Sequence, residues 1–325
     1  DGAITNNANT IKIGDKSYGF VIQGQSNTPS TFTSNTANVK VGNSTVYAYS
    51  SDKKRTITNG TVLTSTGSEN YGIYADGTVV NNANINFASG IGNVGIYSID
   101  SSNGNSANAT NNATITVGKT DAANNKYAIG MAAGYGTSGS GTITNNGTIN
   151  VTNSGYGIVG MATGQTAQNY GRDTTAGTAV EIVNNGQINV AGDNAIAIYA
   201  DDNKGVALNE ITVTNTHKIT VSGNRGVGIA IRDSINSGSG GVVNVTGAGS
   251  SDIVTGTNGV GIYAENSEVK LNSNYGIETK EGGVGIYAAK SSIPTASTLE
   301  YKYSGSTSGR GMAIVYTKAN TTNST

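Results

Sequence analysis

The sequence predicts an all-β chain wound as a parallel β-solenoid of about eleven imperfect coils. Three observations lead there. A short motif of Gly or Ala followed by Ile, and often by Tyr, recurs along the whole chain; an Asn-rich corner with an alternating strand behind it precedes most copies; and the bulky residues of a thick globular core are scarce.

The scarcity of bulky residues bounds the class. A chain of 325 residues would ordinarily divide into two compact domains, but this one has 47 Gly, no Trp, 3 Phe and 3 Met, and 35% hydrophobic residues. Such a composition implies a thin core. Disorder does not fit, because a net charge of −1 and 17 Tyr are the opposite of the charged, aromatic-poor makeup of unfolded chains.

The motif reads Gly19-Phe20-Val21, Tyr47-Ala48-Tyr49, Gly72-Ile73-Tyr74, Gly95-Ile96-Tyr97, Ala128-Ile129-Gly130, Gly157-Ile158-Val159, Ala197-Ile198-Tyr199, Gly228-Ile229-Ala230, Gly261-Ile262-Tyr263, Gly285-Ile286-Tyr287 and Ala313-Ile314-Val315. Successive centres lie 23 to 40 residues apart, within the range of stacked repeat architectures. Parity within these strands predicts Ile196 with Ile198, Val227 with Ile229 and Val260 with Ile262 on one face, and Gly, Ala or Tyr on the other.

The corner reads Asn81-Asn82-Ala83, Asn111-Asn112-Ala113, Asn145-Asn146-Gly147 and Asn184-Asn185-Gly186. The strand after it alternates, as in Ile115 and Val117 or Ile149 and Val151, and a third apolar segment such as Thr142-Ile143-Thr144 or Glu181-Ile182-Val183 comes before it. Three strands per coil result. Asn tolerates left-handed backbone, so it can turn a corner, and stacked Asn side chains can bond to one another along the stack. Asn-Gly between alternating strands also suits β-hairpins of a sandwich or barrel. Against hairpins, the corner recurs about 12 to 17 residues before the motif centre, and Ala or Thr often replaces its Gly. Eleven coils rising ~4.8 Å each make a rod on the order of 50 Å long. Residues 1–319 read as one continuous solenoid segment, with 320–325 a flexible tail. Asp1 opens directly in repeat-like sequence with no signal peptide, so the chain reads as a piece of something longer.

The stretches Tyr71-Gly72-Ile73-Tyr74-Ala75, Asn93-Val94-Gly95-Ile96-Tyr97-Ser98 and Thr142-Ile143-Thr144-Asn145-Asn146-Gly147-Thr148-Ile149-Asn150-Val151 resemble passenger repeats of very large type V autotransporter adhesins, most closely the fusobacterial outer-membrane kind. Asn- and Gly-rich β-helix repeats also occur in filamentous adhesins secreted by a two-partner route. The resemblance implies a right-handed parallel β-helix passenger, exported through a C-terminal outer-membrane barrel and displayed on the cell surface. It further implies attachment to a host cell-surface receptor or glycan, or to a partner bacterium, by a monomeric segment that does not itself enter the membrane. The signal peptide and the barrel of the full family pattern are not in this sequence.

Chemistry-bearing residues are few. With 19 Lys plus Arg against 20 Asp plus Glu, no basic field gathers phosphates, and nucleic acid is not an expected partner. The absence of Cys excludes disulfides, thiolate zinc sites and cysteine nucleophiles. No apolar run has the length of a membrane span. The one histidine, His217, sits in a corner as an exposed turn residue, and Asp201-Asp202 is a carboxylate pair without further motif. Gly282-Gly283-Val284-Gly285 opens like a calcium-binding nonapeptide, but Ile286 stands where the liganding Asp belongs, so neither metal nor cofactor is expected. The reading is therefore a non-enzymatic binding segment, the alternatives being a purely structural stalk and a β-helical polysaccharide-degrading enzyme.

Two features point to binding. Tyr49, Tyr74 and Tyr97 fall at corresponding outward positions of consecutive coils, and Tyr263 and Tyr287 form a second pair. Aromatic faces stack on sugars or enter interfaces, although the same spacing also builds a ladder that only supports itself. The other feature is the longest insertion, between Ile158 and Ile198, which carries Tyr170, Arg172 and Asp173. Tyr and Arg are frequent interface anchors, and loops leaving a rigid scaffold concentrate recognition. Insertions at 24–38, 118–126 and 233–241 are lesser candidates of the same sort.

Overall fold

The computed structural model describes residues 3–23, 30–35, 38–51, 55–100, 108–135, 141–152, 157–164, 180–202, 211–233, 241–247, 251–293 and 298–317. Among these, the strands form three parallel sheets of 10, 11 and 11 members, and each sheet takes every third strand of the chain. The chain is therefore a parallel β-helix with a three-strand coil. Hairpins are absent from its ladders, and the one antiparallel bridge among the described residues, Asp121 with Lys126, closes a local loop.

One coil illustrates the pattern. Gly141–Asn145 lies in the first sheet, Thr148–Val151 in the second and Gly157–Gly164 in the third. Alternation in the first two strands turns Ile143, Ile149 and Val151 inward, and each stacks on its counterpart one coil on: Ile182, Ile188 and Val190. Repeating this along the axis gives one continuous buried column per inward position, as with Val39, Leu63, Ile85, Ile115, Ile149, Ile188, Ile219, Ile253 and Ile277 in the second sheet. Burial of each column comes from its neighbours above and below, so stability is nearest-neighbour in character.

The third sheet departs from simple parity. Ile198 and Ile229 enter the main core, whereas Ile196, Val227 and Tyr199 pack into a separate cluster on the outside of the sheet. The predicted pairing of Ile196 with Ile198, Val227 with Ile229 and Val260 with Ile262 on one face is thus wrong. Two successive residues, the small one and the Ile, both face inward. A Cβ at Gly95 would stand 2.5 Å from Ile115 Cγ2 and 2.6 Å from the Gly130 carbonyl oxygen, and a Cβ at Gly228 or Gly261 meets the same kind of neighbours. Close approach of one coil's backbone to the next is what demands Gly or Ala ahead of Ile.

This geometry also rephases two copies of the motif. Ile96 stacks on Met131, and Met131 on Met161, while Ile129 lies above Val94 in the outer cluster. The working copies are Gly130-Met131-Ala132 and Gly160-Met161-Ala162 in place of Ala128-Ile129-Gly130 and Gly157-Ile158-Val159. Met fills the inward site as well as Ile does, which a search for Ile alone passes over.

Corners divide the labour between side chain and backbone. At the Asn corner no Asn takes left-handed backbone; the side chain turns inward, as where Asn59 Nδ2 donates to the Thr61 carbonyl and Asn59 Oδ1 accepts from the Thr61 N–H. Left-handed residues mark the corner between the second and third sheets instead: Lys16, Ser44, Glu69, Gly92, Asn194, Arg225, Asn258 and Gly282. The N–H of each donates to a carbonyl of the next coil, at 2.7 to 2.9 Å.

The expected Asn stacking is present and buried. Nδ2 of Asn59, Asn81, Asn111, Asn145 and Asn184 donates in turn to Oδ1 of Asn81, Asn111, Asn145, Asn184 and Asn215, at 2.7, 2.8, 2.9, 2.8 and 2.7 Å. One coil further, Val245 replaces Asn, and the Tyr275 hydroxyl reaches back to accept from Asn215 Nδ2 at 2.9 Å. An exposed ladder of Asn82, Asn112, Asn146 and Asn185 runs beside it.

Candidate functional site

The Tyr residues stack as their spacing predicts. Tyr49 pairs in register with Tyr74 and Tyr74 with Tyr97; ring centroids are 5.5 and 5.0 Å apart, and Tyr263 and Tyr287 stack at 5.5 Å. Tyr18, which belongs to a neighbouring column and pairs in register with Val46, meets Tyr49 edge-on at 5.3 Å. Exposure is uneven: Tyr18 is 59% exposed, Tyr49 and Tyr74 are half-buried, and Tyr97 is 2% exposed. Tyr97 is therefore a packing residue of the outer cluster and presents no ring face to a partner. Burial, then the neighbouring Tyr71, Tyr49, Asp76 and Tyr18, push the Tyr74 hydroxyl up to about 12.

Tyr170, Arg172 and Asp173 lie outside the described residues, as do 24–29, 36–37 and 234–240 within the lesser insertions. Asp201 and Asp202 end the strand Ala195–Asp202. His217 is an exposed turn residue whose Nδ1 accepts from the Lys218 N–H at 2.8 Å, with no carboxylate among its described partners. No group of three or more His, Asp or Glu residues suited to a metal ion occurs among the described residues.

The insertion at 118–126 builds a defined cleft. Asp121 and Lys126 exchange backbone hydrogen bonds at 2.7 and 2.9 Å, the Asp121 carboxylate accepts from Asn124 Nδ2 at 2.7 Å, and a 3₁₀ turn, Ala122–Asn124, fills the loop. This closure aims Lys126 across the corner of the previous coil, where Gly92 has φ +67° and a Cβ would lie 2.9 Å from Lys126 Cβ. With no side chain in the way, Lys126 Nζ reaches Glu69 Oε1, two coils off, at 2.7 Å. The carboxylate beside it holds the ammonium above its usual range. Beneath this strap is a cleft of about 140 Å³ bordered by Tyr71, Val94, Tyr127 and Ile129. Tyr71 stands edge-on to Tyr74 and Tyr97, and burial followed by the Glu69 charge raises its hydroxyl.

Sequence reasoning named the loop but not these residues. The signal was present in one form: Gly92 is one of two glycines, with Gly282, in a corner column that holds Lys, Ser, Glu, Asn and Arg in other coils. What hid it is that the partners Glu69 and Lys126 belong to coils two apart.

Among the described residues, the fold is a parallel β-helix whose interior is given over to packing. A protein-family model described as the BigA third pectate lyase-like domain matches residues 87–177, just over a quarter of the chain. This similarity supports an adhesin-type β-helical passenger repeat and does not bear on the fusobacterial kind. No curated protein and no solved structure gives a significant match. Among the described residues, no helix is long and apolar enough to cross a membrane.

Proposed function

We propose that this chain is a surface-displayed, non-enzymatic adhesin segment that attaches a bacterium to host cells or to other bacteria. In this reading it is monomeric, tethered to the outer membrane through a barrel, and the rod carries its binding faces outward. One observation supports it above the others: the stacked coils bury their aliphatic and Asn columns inside, while the outer aromatic cluster and the strapped cleft beside it form a rigid surface with polar and aromatic groups in fixed positions. The similarity of residues 87–177 to a domain of an adhesin-like protein adds to that.

The test is adhesion of fluorescently labelled chain to cultured epithelial cells and to bacteria. Saturable binding that unlabelled chain competes away is expected. Binding no greater than that of an unrelated β-helix of equal size would reduce the segment to a stalk that only spaces other parts. Incubation with acidic and neutral polysaccharides, followed by assay of reducing ends and unsaturated products, is expected to show no turnover; clear turnover refutes the non-enzymatic reading.

A further inference from the structure

We infer that the cleft over Gly92 holds one neutral pyranose ring of a surface glycan; this rests on the adhesin reading and gives it a contact point. The lining has the two faces a sugar needs. Tyr71 and Tyr127, both half-buried, offer an aromatic wall for the C–H face of a ring, backed by the buried Val94 and Ile129, while Glu69 and Asn125 place a carboxylate and an amide at the same cleft for its hydroxyls.

Charge selects the class. Glu69 and Lys126 are closed on each other at 2.7 Å, so the rim is neutral overall. A sialylated or sulfated ring would either face the Glu69 carboxylate or have to break that pair, whereas hydroxyls can donate to the carboxylate and leave it intact. The site is also preformed. Two backbone hydrogen bonds between Asp121 and Lys126 hold the strap, so little ordering is needed when a ring enters. Affinity for a single ring is expected on the order of 1 mM, as for other small ligands of low contact area, and is raised by multivalent display.

The experiment presents the whole chain to an array of neutral hexose and N-acetylhexosamine oligosaccharides beside their sialylated and sulfated counterparts, then titrates the best neutral ligand by saturation-transfer NMR. Two variants report on the cleft. Gly92→Asn sets a side chain against Lys126 and so displaces the strap over the cleft, at a corner where Asn194 and Asn258 already take the same backbone conformation, and Tyr127→Ala removes part of the wall. Thermal midpoints and far-UV dichroism certify the fold of each. The expected result is neutral-glycan binding by the natural chain that weakens at least tenfold in both folded variants. Absence of neutral-glycan binding, preference for anionic glycans, or binding unchanged in folded variants overturns the proposal. Cell adhesion that survives in the variants leaves the adhesin reading standing while the cleft falls; glycan binding without cell adhesion does the reverse.

Discussion

Replacing Asn145 by alanine takes one link from the middle of the buried amide ladder. Asn145 is fully buried; its Oδ1 accepts from Asn111 Nδ2 at 2.9 Å, and its Nδ2 donates to Asn184 Oδ1 at 2.8 Å and to the Gly147 carbonyl at 3.3 Å. Alanine leaves one N–H of Asn111 and the Oδ1 of Asn184 without those partners, in a space that water does not reach. At ~1–3 kcal/mol for each orphaned buried group, the loss is about 2–6 kcal/mol. Asn146→Ala is the control: it also breaks two Asn-to-Asn bonds, at 3.0 and 3.2 Å, but on the exposed ladder, where water replaces them and the cost is about 0.5 kcal/mol or less. Urea unfolding followed by far-UV dichroism compares the two. Because a coil stack need not unfold as one unit, hydrogen exchange of amides in Gly141–Asn145 and Thr148–Val151 localises the effect. Equal losses for Asn145→Ala and Asn146→Ala would refute the argument from burial.

Further predictions test other parts of the stack. Gly95→Val forces a side chain against Ile115 and the Gly130 carbonyl, at distances below 3 Å, and is expected to lower stability by about 1–3 kcal/mol or more in a thermal or urea melt; an unchanged midpoint would show that the third sheet yields easily. Tyr74 keeps its proton in the folded chain up to about 12, against an ordinary 10, so its contribution is whole below pH 10 and is lost as pH climbs through 12. Absorbance at 295 nm should show a late-ionising tyrosine that Tyr74→Phe removes. At the other extreme, the Ser251 hydroxyl, donating at 2.6 Å with help from Ser304 and Lys302, holds Glu278 down at about 2. That stability is present above pH 4.5 and disappears as pH falls toward 2; Glu278→Gln should flatten this acid limb by about 1 kcal/mol or less, since solvent screens the site. An acid limb identical in the variant would assign it to other carboxylates.

Much of this architecture is legible in one dimension because a solenoid repeats the same local problem. Side-chain alternation along strands such as Thr148–Val151 names the inward residues of the first two sheets, the recurring Asn marks a ladder, and the count of motifs equals the count of coils. Those features depend only on neighbours at fixed spacing. The phase of the third sheet does not: Met131 and Met161, rather than Ile129 and Ile158, occupy the core column, since the decision rests on how closely Gly130 and Gly160 let adjacent backbones approach.

The sequence by itself determined the class of fold, the three-strand coil and the Asn and Tyr columns, because each follows from a period and stacking multiplies a period without altering it. Only the tertiary structure decided that Tyr97 is covered while Tyr18 is open, and that Lys126 crosses Gly92 to meet Glu69. Tyr18 is open because its strand ends the third sheet, and the strap depends on where an insertion of irregular length lands in space; a repeat pattern carries no record of either.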